Sequence, residues 1–309
     1  MDGAALAEQW RRDGYVIVRN LLSPERAAHL AFLCDGIAAQ WRSCSPETDA
    51  PGAPNAADAT CMRHLNHPAY FEGDTSGGRV AMLETVADPG VLELCTTILG
   101  DRPAFRSTSL FMNPTETSTN GQWHRDAPLH NVPVNPIPTP EEQGMIEENV
   151  GGGGESGGCI QLQIALIPSD DVELVKGSHL RWDTPEEWHV RMADDKAYAC
   201  DGDMPHAVRI ALQPGDGVAF NPFGLHRGRY HADKKRRTLM LSYRARSLPL
   251  YDYFSDQPWC ESPGYLDDLT PEAAQFWREF VEDYSEQWRE GQAAAFMEAR
   301  ARLGGRPKL

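Results

Sequence analysis

Up to about residue 100, apolar residues recur mostly at the spacing of a helix face; beyond it they fall into short runs bounded by turn residues. Ala4 to Arg12 has helical spacing, and Gly14-Tyr15-Val16-Ile17-Val18 reads as a short strand. Ser23-Pro24-Glu25 predicts a helix start, with Ser23 as N-cap, Pro24 at the first helical position and an acid in the first turn. Ala28, Leu30, Ala31, Leu33 and Cys34 continue that helix, which is expected to stop near Gly36. Residues 43–60, rich in Ser, Pro, Ala and Asp, read as a loop. Val91, Leu92, Leu94, Cys95 and Ile98 predict one helical region from Ala81 to Leu99, stopped by Gly100-Asp101.

Strands are expected at Phe105–Met112, Cys159–Ile167, Gly217–Phe220 and Thr238–Tyr243. Short strands at this density predict a mostly β fold of sandwich or barrel type with flanking helices. No internal repeat interrupts it, so one domain over 1–309 is expected. Its parts are an N-terminal helical flank (1–100), a β core (101–250) and a C-terminal helical extension (251–309). In that extension Phe276, Trp277, Phe280, Val281, Tyr284 and Trp288 mark a helical region over 270–304. The stretch 127–158 is an insert in the core. It carries Pro128, Pro133, Pro136, Pro138 and Pro140 and closes on a glycine-rich run from Gly151 to Gly158. A loop of that length inside a compact domain points to function, and a lid with a proline-stiffened body and a glycine hinge is expected.

Charge and composition narrow the partners. A net charge of −16 argues against nucleic acid or an anionic membrane surface. No apolar run approaches the roughly 18 residues of a membrane span. The opening Met1-Asp2-Gly3-Ala4-Ala5 lacks the basic-then-apolar layout of an export signal. Seven cysteines, an odd number without a CxxC, fit reduced, mostly buried thiols and a cytoplasmic location. What is left is a globular protein that handles a small molecule, with its oligomeric state open.

The candidate chemistry is His124-Arg125-Asp126, with His226 about a hundred residues later. In an extended segment residues i and i+2 share a side, so His124 and Asp126 can hold one ion from one strand end. Two imidazoles and a carboxylate occupy one face of an iron(II) ion and leave three positions for chemistry. The same letters, His124-Arg125-Asp126 through Asn131, fit a kinase catalytic loop, but no DFG occurs and the glycine run lies on the wrong side. That run also lacks the Gly-Lys-Ser/Thr ending of a phosphate loop. Gly177-Ser178-His179 is not a nucleophile elbow, and its histidine reads as structural. Past His226 stand Arg236 and Arg237, opening the strand Thr238-Leu239-Met240-Leu241-Ser242-Tyr243. A guanidinium there suits the distal carboxylate of a dicarboxylate bound at the metal.

In order along the chain, several segments resemble the phytanoyl-CoA dioxygenase family. They are Asp13-Gly14-Tyr15-Val16-Ile17-Val18 with Ser23-Pro24-Glu25, then Gly177-Ser178-His179, then Gly215-Asp216 to His226 with its trailing arginine. The resemblance implies a double-stranded β-helix (jelly-roll) core, Fe(II), 2-oxoglutarate and O2, with succinate and CO2 as coproducts. It implies metal ligation by His124, Asp126 and His226, and the distal 2-oxoglutarate carboxylate on Arg236, with Arg237 as the alternative. Gln122, two residues before the first ligand, matches a glutamine that some relatives place on the cosubstrate. Arg227-Gly228-Arg229-Tyr230-His231 departs from the small residues and asparagine many relatives have after the distal histidine.

The expected activity is oxidation, foremost hydroxylation, of an unactivated C–H in a small metabolite. Desaturation, epoxidation and ring formation are alternatives on the same scaffold, as is a non-catalytic jelly-roll metal-binding protein. A halogenase would need the carboxylate position vacated, and Asp126 fills it. A zinc hydrolase could use the same three ligands.

Overall fold

In the computed structural model, which describes residues 2–45, 50–51, 60–126, 158–248 and 254–291, the helical flank keeps the predicted order with three changes: a longer second helix, a short strand pair inside the 43–60 stretch read as a loop, and two helices in place of one. Helix α1 (Gly3–Asp13) is capped by Asp2 and ends at Gly14, whose φ of 77° suits glycine. Strand β1 (Tyr15–Val18) follows. Helix α2 (Pro24–Ser43) runs through the expected stop at Gly36. That glycine faces open space, so it costs only its propensity, about 1 kcal/mol, while the buried Ile37, Ala38 and Trp41 continue the packing. The two-residue strands β2 (Cys44–Ser45) and β3 (Ala50–Pro51) pair, and β4 (Cys61–Arg63) joins the main sheet. The single helical region expected over 81–99 is two helices, α3 (Gly78–Val86) and α4 (Pro89–Leu99). Asp88 separates them: its side chain accepts from Gly90 N and Val91 N, and Pro89, with no N–H, takes the first helical position.

The core strands are β5 (Pro103–Phe111), β6 (Thr119–Asn120), β7 (Cys159–Ala165), β8 (Ser169–Val175), β9 (Ala207–Leu212), β10 (Gly217–Phe220), β11 (His226–Tyr230) and β12 (Thr238–Ala245). Helix α5 (Pro185–Lys196) lies between β8 and β9, and α6 (Pro271–Arg289) closes the described chain. The four predicted core strands are β5, β7, β10 and β12. Strand β8 escaped the hydrophobic pattern because it carries Asp170, Asp171 and Glu173. Cations met only in the fold balance them: Glu173 pairs with Arg227 at 2.5 Å, and Asp171 with Lys234 at 2.8 Å.

Two antiparallel sheets result, ordered β1-β10-β7-β12-β5-β4 and β6-β11-β8-β9. Val172, Leu174, Ile210 and Leu212 of the smaller sheet pack on Ala165, Val218 and Phe220 of the larger, so the sheets meet face to face. The opposite face of the larger sheet, with Leu110, Ile160, Leu162, Ile164, Leu239 and Leu241, joins one core with helix residues such as Leu30, Val91 and Trp277. Side chains alternate along a strand, so Gln161, Gln163, Ser107, Ser109 and Ser242 lie on the face turned toward the smaller sheet. That face thus mixes polar side chains with the apolar Ala165, Val218 and Phe220, where the helix-covered face is aliphatic.

The helix expected over 270–304 is α6, ending at Arg289, and residues 292–309 lie outside the described chain. So does the insert at 127–157, and with it the expected lid. All six cysteines among the described side chains are free thiols. Among the described residues no helix is long and apolar enough to cross a membrane.

Candidate metal centre

His124 and His226 come together through the backbone. Each donates its N–H to the other's carbonyl, at 3.1 and 3.0 Å, as an isolated antiparallel bridge. Asn120 lies opposite Arg229 and His124 opposite His226, so four steps on one strand oppose three on the other. This one-residue bulge re-aims the chain before the first histidine. Trp123 within it turns its N–H to Ala199 O at 2.8 Å. The two imidazole centroids stand 4.2 Å apart.

Both rings are held by their own chain. His124 Nδ1 bonds Gln122 O at 2.7 Å and His226 Nδ1 bonds Gly224 O at 2.8 Å. A carbonyl only accepts, so each Nδ1 donates, and the tautomer this favours is the one with its lone pair on Nε2, able to bind a cation. Those nitrogens face Asp126: His124 Nε2 is 3.5 Å from Oδ1 and His226 Nε2 is 3.9 Å from Oδ2. One donor atom from each of the three residues lies within 4.8 Å of the others. Donors about 2.1 Å from one ion and at right angles stand about 3 Å apart, so a small closure would bring the set onto a single cation. Two lone pairs converging on a carboxylate are a donor set that fits a divalent ion.

The residue between the ligands is the anchor of the segment. Arg125 is fully buried and donates to Ser178 O at 2.7 Å, to Phe223 O at 2.8 Å, and twice to Asp183 Oδ1. Arg191 holds the other Asp183 oxygen at 2.5 Å. Burial would raise the Asp183 pKa, but the two guanidiniums outweigh it and hold the carboxyl below the usual range. Ser178 also donates to Val175 O and accepts from Leu225 N, next to His226. His179, whose Nε2 bonds Arg11 O at 3.2 Å, packs against Gly14 and is pushed down by burial to about 4. The Gly177-Ser178-His179 stretch thus braces both ligand segments without joining the metal cluster, the structural role expected of its histidine.

Arg236 and Arg237 diverge. Arg236 is buried, with its guanidinium between the rings of Phe111 (5.2 Å) and Tyr230 (5.1 Å). Its Nε donates to Thr238 Oγ1 at 3.2 Å and stands 3.7 Å from Asp171 Oδ2, and its Nη1 donates to Arg229 O at 3.3 Å. Among the described residues its Nη2 has no hydrogen-bond acceptor. A buried guanidinium nitrogen without an acceptor fits a carboxylate brought in by a cosubstrate. Arg237 turns the other way, to Asp35 of α2 at 2.5 Å. Gln122 contributes its backbone carbonyl, which orients the first histidine.

Two neighbours of the cluster were not foreseen. Gln161 of β7 donates from Nε2 to Asp126 Oδ2. Phe220 of β10 sets its ring 5.0 Å from that of His226. The available signal for the first was Ile160-Gln161-Leu162-Gln163-Ile164, in which amides alternate with aliphatics.

Comparison with known proteins agrees with this architecture. Among solved structures, AviO1 from Streptomyces viridochromogenes Tue57 is similar at 20% identity and TM-score 0.52, over 81% of this chain and 97% of that one. EctD from S. alaskensis, solved with 2-oxoglutarate and 5-hydroxyectoine, matches at 16% and 0.52 over 80% of this chain and 78% of that one. The non-haem α-ketoglutarate-dependent epimerase SnoN of nogalamycin biosynthesis matches at 19% and 0.51 over 79% and 82%. No curated protein sequence matches. The family model for phytanoyl-CoA dioxygenase matches residues 10–238, a span that takes in both histidines, Asp126 and Arg236. The chain therefore belongs to the phytanoyl-CoA dioxygenase family of iron- and 2-oxoglutarate-dependent oxygenases.

Proposed function

We propose that this protein oxidises an unactivated C–H bond of a small polar molecule, with hydroxylation as the outcome, using iron(II), 2-oxoglutarate and O2 within a jelly-roll core. His124, Asp126 and His226 would hold the iron, and Arg236, steadied by Thr238, would receive the distal carboxylate of 2-oxoglutarate. The observation that carries the reading is the combination of a two-histidine, one-carboxylate cluster with a buried guanidinium whose Nη2 lacks an acceptor among the described residues. Iron, when bound there, supplies the oxidising chemistry on O2 and the keto acid.

The chain's own task is placement. The carbonyls of Gln122 and Gly224 keep each ligand histidine in the tautomer that presents Nε2. Phe111 and Tyr230 keep water from the guanidinium and strengthen its attraction for a carboxylate. The inner-face side chains Gln163, Ser107 and Ser109 favour a hydrogen-bonding substrate over a hydrocarbon. Asp126 fills the position a halogenase leaves empty, which favours hydroxylation. SnoN is an epimerase, so product analysis is the part of the test that assigns the outcome.

The test begins with protein purified without oxygen. It should take up one Fe(II) per chain and, once O2 and substrate are admitted, convert 2-oxoglutarate to succinate and CO2, and His124→Ala, Asp126→Ala and His226→Ala should each abolish both uptake and turnover. With Mn(II) present, 2-oxoglutarate at about 100 times its dissociation constant should stabilise the fold by about 2.7 kcal/mol. At roughly 2–4 °C per kcal/mol, that is a melting shift of about 5–11 °C. Full turnover in Asp126→Ala would refute the ligand assignment.

A further inference from the structure

Asp126 offers two oxygens, and which of them meets the ion decides how many positions stay open. A six-coordinate ion bound by two histidines and one carboxylate oxygen keeps three positions: two for a keto acid's chelating oxygens and one for O2. Were both Asp126 oxygens to bind, the keto acid would fill what remained and O2 would have no place. Something must therefore hold one oxygen back.

Gln161 is placed to do so. Its Nε2 donates to Asp126 Oδ2, the oxygen 3.9 Å from His226 Nε2, while Oδ1 stands closer to a ligand nitrogen, 3.5 Å from His124 Nε2. An N–H on Oδ2 engages a lone pair of that oxygen and sets the plane of the carboxylate. The amide does this without charge; a lysine or arginine would compete with the cation for Asp126. Register locks the donor in position. Phe220, Gln161, Ser242 and Ser107 lie in one row across β10, β7, β12 and β5, with a main-chain ladder on both sides of Gln161. Its row neighbour Phe220 touches the His226 ring. One row of the larger sheet thus addresses two of the three ligand residues, and it does so from strands that contribute no ligand themselves.

We propose that Gln161 is a positioning residue that keeps Asp126 to one-oxygen coordination and so preserves the third open position. This rests on the metal reading above. The test uses Co(II) as the probe, on full-length protein without oxygen, because the intensity and position of its visible bands report coordination number. Gln161→Met, close in volume but without the donor, should weaken Co(II) binding about 10–100-fold, the range typical for losing an outer hydrogen bond to a ligand. At saturating Co(II) its visible spectrum should also differ from the native one. Gln161→Asn, one methylene shorter, should do the same while keeping the site polar, and it decides the matter if the methionine variant does not fold. A dissociation constant within threefold of native, or a superposable spectrum, overturns the proposal. Native protein that takes up no Co(II) would instead sink the metal reading from which it starts.

Discussion

Arg236 and Arg237 are neighbours in sequence with opposite surroundings. One is buried between two aromatic rings with a nitrogen that no described residue accepts from; the other reaches a half-exposed aspartate on α2. Removing Arg236 should therefore cost cosubstrate binding, because the distal carboxylate would be buried without its counter-charge. Arg236→Ala is expected to lose most of the melting shift that 2-oxoglutarate produces in Mn(II)-loaded protein. Arg237→Ala should keep that shift and lose no more than about 1 kcal/mol of stability, the range for a partly exposed pair. The reverse pattern in a thermal melt would move the cosubstrate to Arg237. In sequence the two could not be separated, since which side a side chain takes before a strand depends on where the strand begins.

Among the elements, the turn between β9 and β10 sets the register on which the site rests. Gly215 has a φ of 89°, and a Cβ there would meet Leu22 O at 2.2 Å. Leu22 N donates to Gly215 O at 3.0 Å, and Asp216 accepts from Asn20 N and Gln213 N, both at 2.9 Å. These bonds tie the end of β1 to the start of β10, whose far end carries Phe220. Gly215→Ala combines left-handed strain with a backbone clash, so a loss of at least about 2 kcal/mol is expected. A urea midpoint unchanged from native would contradict this account of the turn. The hydrophobic pattern located β10 correctly. It did not separate α3 from α4, because the apolar spacing continues across Asp88-Pro89 and only the cap divides it.

At the scale of the whole molecule, acid should weaken the fold well above the range where carboxylates titrate. Burial pushes His64 down to about 3 and His179 down to about 4, whereas in an unfolded chain both titrate near 6.5. Above about pH 6.5 both are neutral in either state and add no pH dependence. Below it the unfolded chain binds the additional protons, so each histidine lowers stability by about 1.4 kcal/mol per pH unit until its folded-state pKa is reached. Asp183, held low in the fold, adds its own loss only as pH falls below the ordinary carboxylate range. Urea unfolding followed from pH 7 to 4.5 should show this decline, and His179→Asn should reduce the slope by about one proton. An unaltered slope in that variant would mean His179 is protonated in the fold.

The candidate metal cluster was legible in the chain itself. His124, Asp126 and His226, which the fold gathers, stand out because metal chemistry restricts the residue types and their spacing, and Arg236 and Arg237 stood as candidates because a dicarboxylate needs a fixed cation. The helical flank and four core strands were legible from the period of their apolar residues. The tertiary structure alone decided which arginine turns inward, and that Arg125 is the buried anchor of the ligand segment. It also showed that β8 is a strand despite its acids, and that Gln161 reaches the ligand carboxylate. The reason is common to all four. A buried polar side chain is tolerated only by its partner, and the partners here lie 35 to 58 residues away for Gln161–Asp126, Arg227–Glu173 and Arg125–Asp183. Local periodicity records which residues avoid water; it holds no record of which distant charge or amide a polar residue will meet.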